Sequence, residues 1–587
     1  MDLTGVRMDL VQAALGRIAF DALILNVQVV NVYSGLVEPG NIGIKHGRIV
    51  TCRAPKDAPA ETVWDGQGRF ALPGLIDTHV HIDSTLLTPA GLAEFMVPHG
   101  TTAVFADPME ISNVAGVEGL KAFFAGSDQL PYHVFLEVCS RVPTAPGLET
   151  TGGELGLAEV QEILAWPQSI SLGELDPSKI LGLREEYFAK VTAAHALGKI
   201  ANGHAAGLSP EALTAYACGG LADDHECVDY AEAKQRVALG LSVLIREGST
   251  ERNLKELVGG LLRENADPRH WMMCTDDKHP NEILHEGHIN YMVEQAIALG
   301  MPPVRAVQMA TLNAAQHFRL DHEVGSLAPG RWADILLISS LERIAPEEVF
   351  FKGRRVAQNG KMIIPTPAPA YPDWPHPTVK ITRGLQAEHY RLAAQGASVR
   401  ARVIEITGDQ IINTAGEARL PVVDGAVQTD PQAGVIKLSV VERYGKNGNI
   451  GTSFVRGFGL KRGAISSTVS HDHHNLVIAG ADDLSMATCA RATQEMQGGL
   501  VVALGDQVLA QLPLPFGGLI SEAPPLEVIR VLDALNAAAH SLGCVLPAPF
   551  MTLAFISLPT VPELGLTDRG LVDVHQHALI SPLLGLG

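Results

Sequence analysis

Hydrophobic and polar positions change pattern three times along this chain. From about residue 20 to 70, short runs such as Ala22-Leu-Ile-Leu-Asn-Val and Ile42-Gly-Ile-Lys are separated by Gly- and Pro-bearing turns, which predicts a small β unit. From residue 79 to about 320 the pattern becomes apolar strands separated by helical segments, the alternation of a parallel α/β architecture. Eight strand candidates stand out, at 72–76, 102–105, 134–138, 170–172, 199–201, 219–222, 241–245 and 271–273. Eight is the number that closes a (β/α)8 barrel. The short β pattern resumes in the run from Gly325 to Ile338 and again from Val349, and these strands are expected to join the N-terminal ones.

A stiff, Pro-rich stretch follows at 365–377 and reads as an extended linker. The expected organisation is therefore α/β: a composite β domain from 1–70 plus 321–364, a metal-binding (β/α)8 barrel over 71–320, the linker, and a C-terminal α+β domain over 378–587.

Polar groups sit just after the barrel strand candidates: His79 and His81, Asp107, Ser140, Glu174, His204, His225, Arg246 with Glu247, and Asp276. Barrels of this kind carry their sites at the carboxyl ends of the strands, so these residues are expected to converge on one mouth. His79 and His81 are one residue apart at a strand end and point the same way, as a first-row metal requires of a short segment. Taken singly, each has a plainer reading: Glu174 or Asp276 as a helix N-terminal acid, His204 as a loop residue, His225 as part of an acidic surface. Jointly those readings fail, because each would have to place an unrelated polar residue at the same mouth. A binuclear hydrolase needs nitrogen ligands, a bridging anion and a carboxylate beside the nucleophilic water, and this set supplies all three.

Composition narrows the partners. The chain has 587 residues, 46% hydrophobic and 18% charged, with a formal net charge of −20, which argues against nucleic acid or an anionic membrane and leaves a small-molecule substrate. The N-terminus carries Asp2 and Asp9 and reads as neither leader nor anchor, and no run is long enough to span a bilayer. Seven scattered cysteines without C-x-x-C spacing fit reduced thiols, so a cytoplasmic protein is expected. A large acidic barrel enzyme is also expected to be a homo-oligomer.

Several segments carry a specific resemblance: Pro73-Gly-Leu-Ile-Asp-Thr-His-Val-His-Ile-Asp-Ser, Asp224-His-Glu-Cys, Ile245-Arg-Glu-Gly-Ser, Glu286-Gly-His-Ile-Asn, Gln308-Met-Ala-Thr-Leu-Asn-Ala-Ala and Ser470-His-Asp-His-His-Asn. In sequence and order they resemble the adenine deaminase family of the amidohydrolase superfamily, and they span nearly the whole chain. The resemblance implies hydrolytic deamination of adenine to hypoxanthine and ammonia by a metal-activated hydroxide. Many superfamily members bridge their metals with a carbamylated Lys, whereas this family has a Glu, the role that Glu174 matches. One metal is then assigned to His79, His81, Glu174 and Asp276, and a second to Glu174, His204 and His225. Mixed His and carboxylate ligands suit manganese, iron and zinc alike.

The same resemblance makes Asp276 the general base and Glu226 a candidate acid for the purine ring nitrogen, with Glu110 and Glu247 behind it. These glutamates also read as salt-bridge partners or helix caps. His471, Asp472 and His474 are expected to reach the barrel mouth from the C-terminal domain and contact substrate or an extra metal; the plainer reading is a polar turn. Met109, Asp83, Arg141 and the residues after Glu174 depart from the family pattern, and all lie beside the mouth. Competing readings are another aminopurine deaminase, a cyclic-amide hydrolase, or a scaffold that lost its metals. The zinc deaminase fold with P-C-x-x-C is excluded because that motif is absent from the sequence.

Overall fold

The strand Phe20–Asn31 uses both of its faces: Ala22 and Ile24 pack into the core of a sheet, while Leu23 packs with Ala13 of the helix Leu3–Ala14. The computed structural model describes residues 3–366, 378–406, 413–560 and 563–585. Of the linker expected over 365–377, residues 367–377 lie outside the described residues.

Phe20–Asn31 runs antiparallel to Leu36–Lys45 and parallel to Ala60–Asp65 and Phe70–Pro73. Ile335–Ile338 then pairs antiparallel with Phe70–Pro73, Leu336 opposite Leu72, and the sheet continues through Glu348–Phe351, Arg354–Gln358 and Lys361–Met362. Segments on either side of the parallel region therefore share one nine-stranded sheet.

The first barrel candidate, 72–76, resolves into two strands in different sheets. Phe70–Pro73 belongs to the nine-stranded sheet, and Leu75–Val80 opens the parallel region. The break falls at Pro73-Gly74, where proline has no N–H to donate. Gly74 is fixed by space, since a Cβ there would lie 1.9 Å from Thr102 Oγ1.

Five parallel strands form one sheet: Leu75–Val80, Thr101–Ala106, His133–Val138, Ser169–Leu175 and Ile200–Gly203. Three more form a second: Asp223–Asp224, Ser242–Arg246 and Trp271–Cys274. Backbone hydrogen bonds join the two at both ends. Ala222 N donates to Ala201 O at 2.8 Å, and Asp276 N donates to His79 O at 3.0 Å across a parallel Val80–Asp276 bridge. Helices cover the crossovers; Pro210–Cys218, for example, starts on Pro210 and is capped by the Ser209 side chain accepting from Ala212 N.

The sixth candidate, 219–222, lies too early. Gly219 and Gly220 close the helix Pro210–Cys218, and the strand is the short Asp223–Asp224. Its aspartates are buried because Asp224 pairs with Arg236 at 2.8 Å and Asp223 accepts from Asn202 at 2.8 Å, so a hydrophobic pattern passes over it.

The C-terminal region is β-rich, a ten-stranded sheet with the helices Asp483–Glu495, Pro525–Ser541 and Pro549–Phe555, and a three-stranded sheet at Leu564–Thr567, Gly570–Asp573 and Ala578–Ile580. Strands Ala464–Ser467 and Leu476–Gly480 are antiparallel neighbours. Between them residues 468–475 leave the sheet and are buried throughout. Among the described residues no helix is long and apolar enough to cross a membrane, and the seven cysteines are free thiols.

Candidate metal centre

Alternation along Leu75–Val80 aims His79 toward the space inside the strand ends, and His81 follows on the same side. Each imidazole is oriented through Nδ1. His79 Nδ1 lies 2.6 Å from Glu137 Oε2, and His81 Nδ1 lies 2.7 Å from the Asp107 carbonyl oxygen. With Nδ1 donating, each ring presents the Nε2 lone pair, and His79 Nε2 is buried without a hydrogen-bond partner. Asp276 Oδ1 stands 3.8 Å from His79 Nε2 and 3.4 Å from His81 Nε2. Asp276 is held in the left-handed region at φ 57°, which turns its carboxylate toward the histidines.

Glu174, at the end of Ser169–Leu175, connects the two halves of the site. Its Oε2 lies 2.8 Å from His204 Nδ1 and 3.1 Å from His225 Nε2, and its Oε1 takes the Arg141 guanidinium. His79, His81 and Glu174 place ligand atoms within 4.8 Å of one another, as do Glu174, His204 and His225, so one carboxylate is common to both groups. The rings of His79 and His225 stack with centroids 4.4 Å apart. The six residues expected as ligands are thus brought together, all buried.

The electrostatics call for cations. Asp83, Asp107, Glu110, Glu137, Glu174, Glu226, Asp276 and Asp277 are all buried here, against the guanidinium groups of Arg141 and Arg246. Burial alone would raise these carboxyls, and it holds Asp107 at about 7 and Asp277 at about 6. Burial also raises Glu174, but Arg141 and His204 outweigh it and hold the carboxyl well below its usual range. For His204, burial lowers and the Glu226 and Glu174 carboxylates raise, leaving it at about 9. Surplus buried anions facing unpartnered His79 Nε2 and His204 Nε2 are the donor set that divalent cations require.

The two candidate acid–base residues share one guanidinium. Arg246 Nη1 lies 2.9 Å from Glu226 Oε1 and 3.0 Å from Asp276 Oδ2. This leaves Glu226 Oε2 unpartnered, 3.5 Å from His204 Nε2.

The segment 468–475 reaches this place from the C-terminal sheet. His471 Nδ1 is 2.9 Å from Glu110 Oε1, its ring stacks on Phe555, and Asp472 pairs with Arg141 Nη1 at 2.9 Å. Glu110, His471 and His474 also cluster within 4.8 Å. However, His474 Nδ1 accepts the Ser470 N–H at 3.1 Å, which puts the ring proton on Nε2 and makes that atom a donor. With Nδ1 so engaged, His474 offers a hydrogen-bond donor at Nε2. Glu247 stands apart from these groups: its carboxylate accepts from Leu254 N at 3.2 Å and faces Arg252 at 3.9 Å.

Glu137 and Asp277 escaped the sequence reading, and Asp107 was read only as a polar group at the mouth, with no role given to it. Glu137 carried a signal, a lone acid in the apolar run Phe-Leu-Glu-Val of a buried strand, which requires a buried partner. Asp277 was masked by Asp276 beside it, and Asp107 contributes to His81 through its backbone oxygen, which no side-chain pattern reports.

Residues 70–356 match the Amidohydrolase family, and residues 410–578 match the adenine deaminase C-terminal domain. The fold and the clustered ligands thus define a metal-binding amidohydrolase. Among curated relatives, the adenine deaminase of Desulforamulus reducens is 51% identical over 98% of this chain and 97% of its own. That of Moorella thermoacetica is 39% identical over 99% of both chains, and that of Oleidesulfovibrio alaskensis 41% over 97% and 98%. The chain belongs to the adenine deaminase family.

Proposed function

We propose that this chain hydrolyses adenine to hypoxanthine and ammonia at a binuclear metal centre. The observation that carries the reading is the single carboxylate of Glu174 shared by two histidine groups, in a chain similar end to end to curated adenine deaminases. The two parallel sheets are read as one (β/α)8 barrel, supported by the hydrogen bonds joining their outer strands. The chain divides accordingly into a composite β domain (1–70 plus 321–364), the barrel (71–320), the linker and a C-terminal α+β domain (378–587).

One metal is assigned to His79, His81, Glu174 and Asp276, and the other to Glu174, His204 and His225. Divalent ions held by these residues, manganese, iron or zinc, would supply an acidified water and polarise the bond it attacks. Asp276, whose Oδ2 is held by Arg246 Nη1 at 3.0 Å, is the carboxylate assigned to take the water's proton. Glu226 Oε2, buried and unpartnered, is the atom from which a ring nitrogen is protonated. With the ring protonated, water adds at C6 as Asp276 takes its proton; that proton passes to the exocyclic amine, the C6–N bond breaks and ammonia leaves, and the C6 hydroxyl returns its proton to Glu226 as the hypoxanthine carbonyl forms. Glu110, His471 and His474 bound the space beside His81 and are assigned to the purine; Asp472 acts through Arg141. The reading includes a cytoplasmic homo-oligomer with no nucleic-acid partner.

Ammonia release over a panel of adenine, other aminopurines and cyclic amides, after loading with Fe(II), Mn(II) or Zn(II), tests this. Release from adenine above all others is expected. Turnover of an amide with none from adenine would overturn it.

A further inference from the structure

Residues 139–156, which follow the strand His133–Val138, carry Arg141 onto Glu174 yet have almost no regular structure beyond one Val142–Leu155 bridge. Backbone groups in such a segment need partners elsewhere. Lys190, buried in the helix Glu185–Ala196, closes the base of the loop by donating to Ser140 O at 3.1 Å and Leu155 O at 2.9 Å. Several contacts hold the tip, most of them from the C-terminal region: Thr567 Oγ1 donates to Leu148 O at 2.5 Å, Arg569 Nη1 to Gly147 O at 2.9 Å and Lys446 Nζ to Thr151 O at 2.6 Å, while Gly152 N and Gly153 N donate to Asn113 O at 2.8 Å; the densest set meets at Thr150.

Asp568, in the turn between Leu564–Thr567 and Gly570–Asp573, accepts from Thr150 N at 2.9 Å and Thr150 Oγ1 at 2.8 Å. Asn447 Nδ2 donates to Thr150 Oγ1 at 2.9 Å, and Asn475 Nδ2 donates to Thr150 O at 2.8 Å. Asn475 ends the same buried segment whose Asp472 pairs with Arg141. The loop is therefore gripped at both Arg141 and Thr150 by one piece of the C-terminal region. A carboxylate only 1% exposed, with two of its hydrogen bonds spent on one loop residue, is an expensive way to fix a surface turn.

We propose that Asp568 is a positioning residue: through Thr150 it holds the 139–156 loop so that Arg141 keeps Glu174 Oε1, leaving Oε2 aimed at His204 and His225. Asp568 touches neither the ligands nor the purine space. The inference rests on assigning Glu174 to the metals, and it is independent of which substrate is used.

The test uses the full chain as Asp568→Ala, Asp568→Asn and Thr150→Val. Amide hydrogen exchange across 144–153 is expected to quicken roughly tenfold in Asp568→Ala, with peptides covering 242–246 and 271–274 unchanged. Mn(II) affinity is expected to weaken about tenfold, and kcat for adenine to fall while KM stays within about twofold. Asp568→Asn keeps an acceptor for Thr150 N–H and is expected to recover most of both. Parental loop exchange in Asp568→Ala, or faster exchange with unchanged Mn(II) affinity, overturns the proposal. If Asp568→Ala does not fold, Thr150→Val decides in its place, because it removes only one hydroxyl; parental exchange there overturns the proposal too. Exchange and Mn(II) affinity are read without substrate, so failure of the adenine reading leaves them intact.

Discussion

His79 gives its Nδ1 proton to Glu137 at 2.6 Å, and this one contact decides that Nε2 faces the metal space as a lone pair. Glu137 is itself buried in a strand, where its Oε2 meets this imidazole. The pair works as a unit: carboxylate behind, imidazole in front.

Glu137→Gln should therefore weaken metal binding without removing a ligand. A fall of about 10- to 100-fold in affinity is expected, measured by titration of the metal-stripped chain. Parental affinity would show that the ring holds its orientation without Glu137.

Glu174→Gln should cost both metal groups at once, since the carboxylate is common to them. Metal content by elemental analysis and ammonia release should drop together. Retention of a full metal complement would remove Glu174 from the bridge.

His471→Ala separates substrate contact from metal binding. Metal content should match the parent, while kcat/KM for adenine falls roughly 100-fold. Loss of metal in this variant would place His471 among the ligands instead.

Glu149 supplies a pH dependence away from the metals. Burial pushes its carboxyl from 4.5 up to about 7, only partly offset by the Ala145 N–H it accepts. The folded chain keeps this proton at pH values where the unfolded chain has lost it. Stability from this group is thus whole below about 4.5, declines as pH rises, and is gone above about 7. Glu149→Gln keeps the acceptor and removes the titration. It should be more stable than the parent by on the order of 1–3 kcal/mol at pH 8, with little difference at pH 5, by urea unfolding.

The sequence carried most of the clustered residues plainly, because His79, His81, Glu174, His204 and Asp276 stand at or just past the ends of apolar runs, where a polar residue interrupts the pattern; His225 follows a strand that the pattern misplaced. That strand, Asp223–Asp224, was not legible, because its acids are buried through Arg236 and Asn202, contacts that arise only in the folded chain. The split of 72–76 into two strands was hidden by Leu72 and Leu75, both apolar, so that Pro73-Gly74 between them did not stand out as a break until the crowding of Gly74 by Thr102 showed where one sheet ends. The tautomer of His474 likewise depends on the Ser470 N–H, a backbone contact that residue spacing does not encode.

That split bears on how the chain can be taken apart. Leu72 stands opposite Leu336 in the nine-stranded sheet, and Leu75, just three residues on, begins the strand that ends in the two histidines. The sheet and the metal strand are one continuous piece of backbone with no joint between them. Cutting the chain near residue 70 to obtain an isolated catalytic module would fray the anchored end of the strand that carries His79 and His81. Fusion, truncation and domain exchange in this family should therefore treat the outer sheet and the metal strand as a single inherited part.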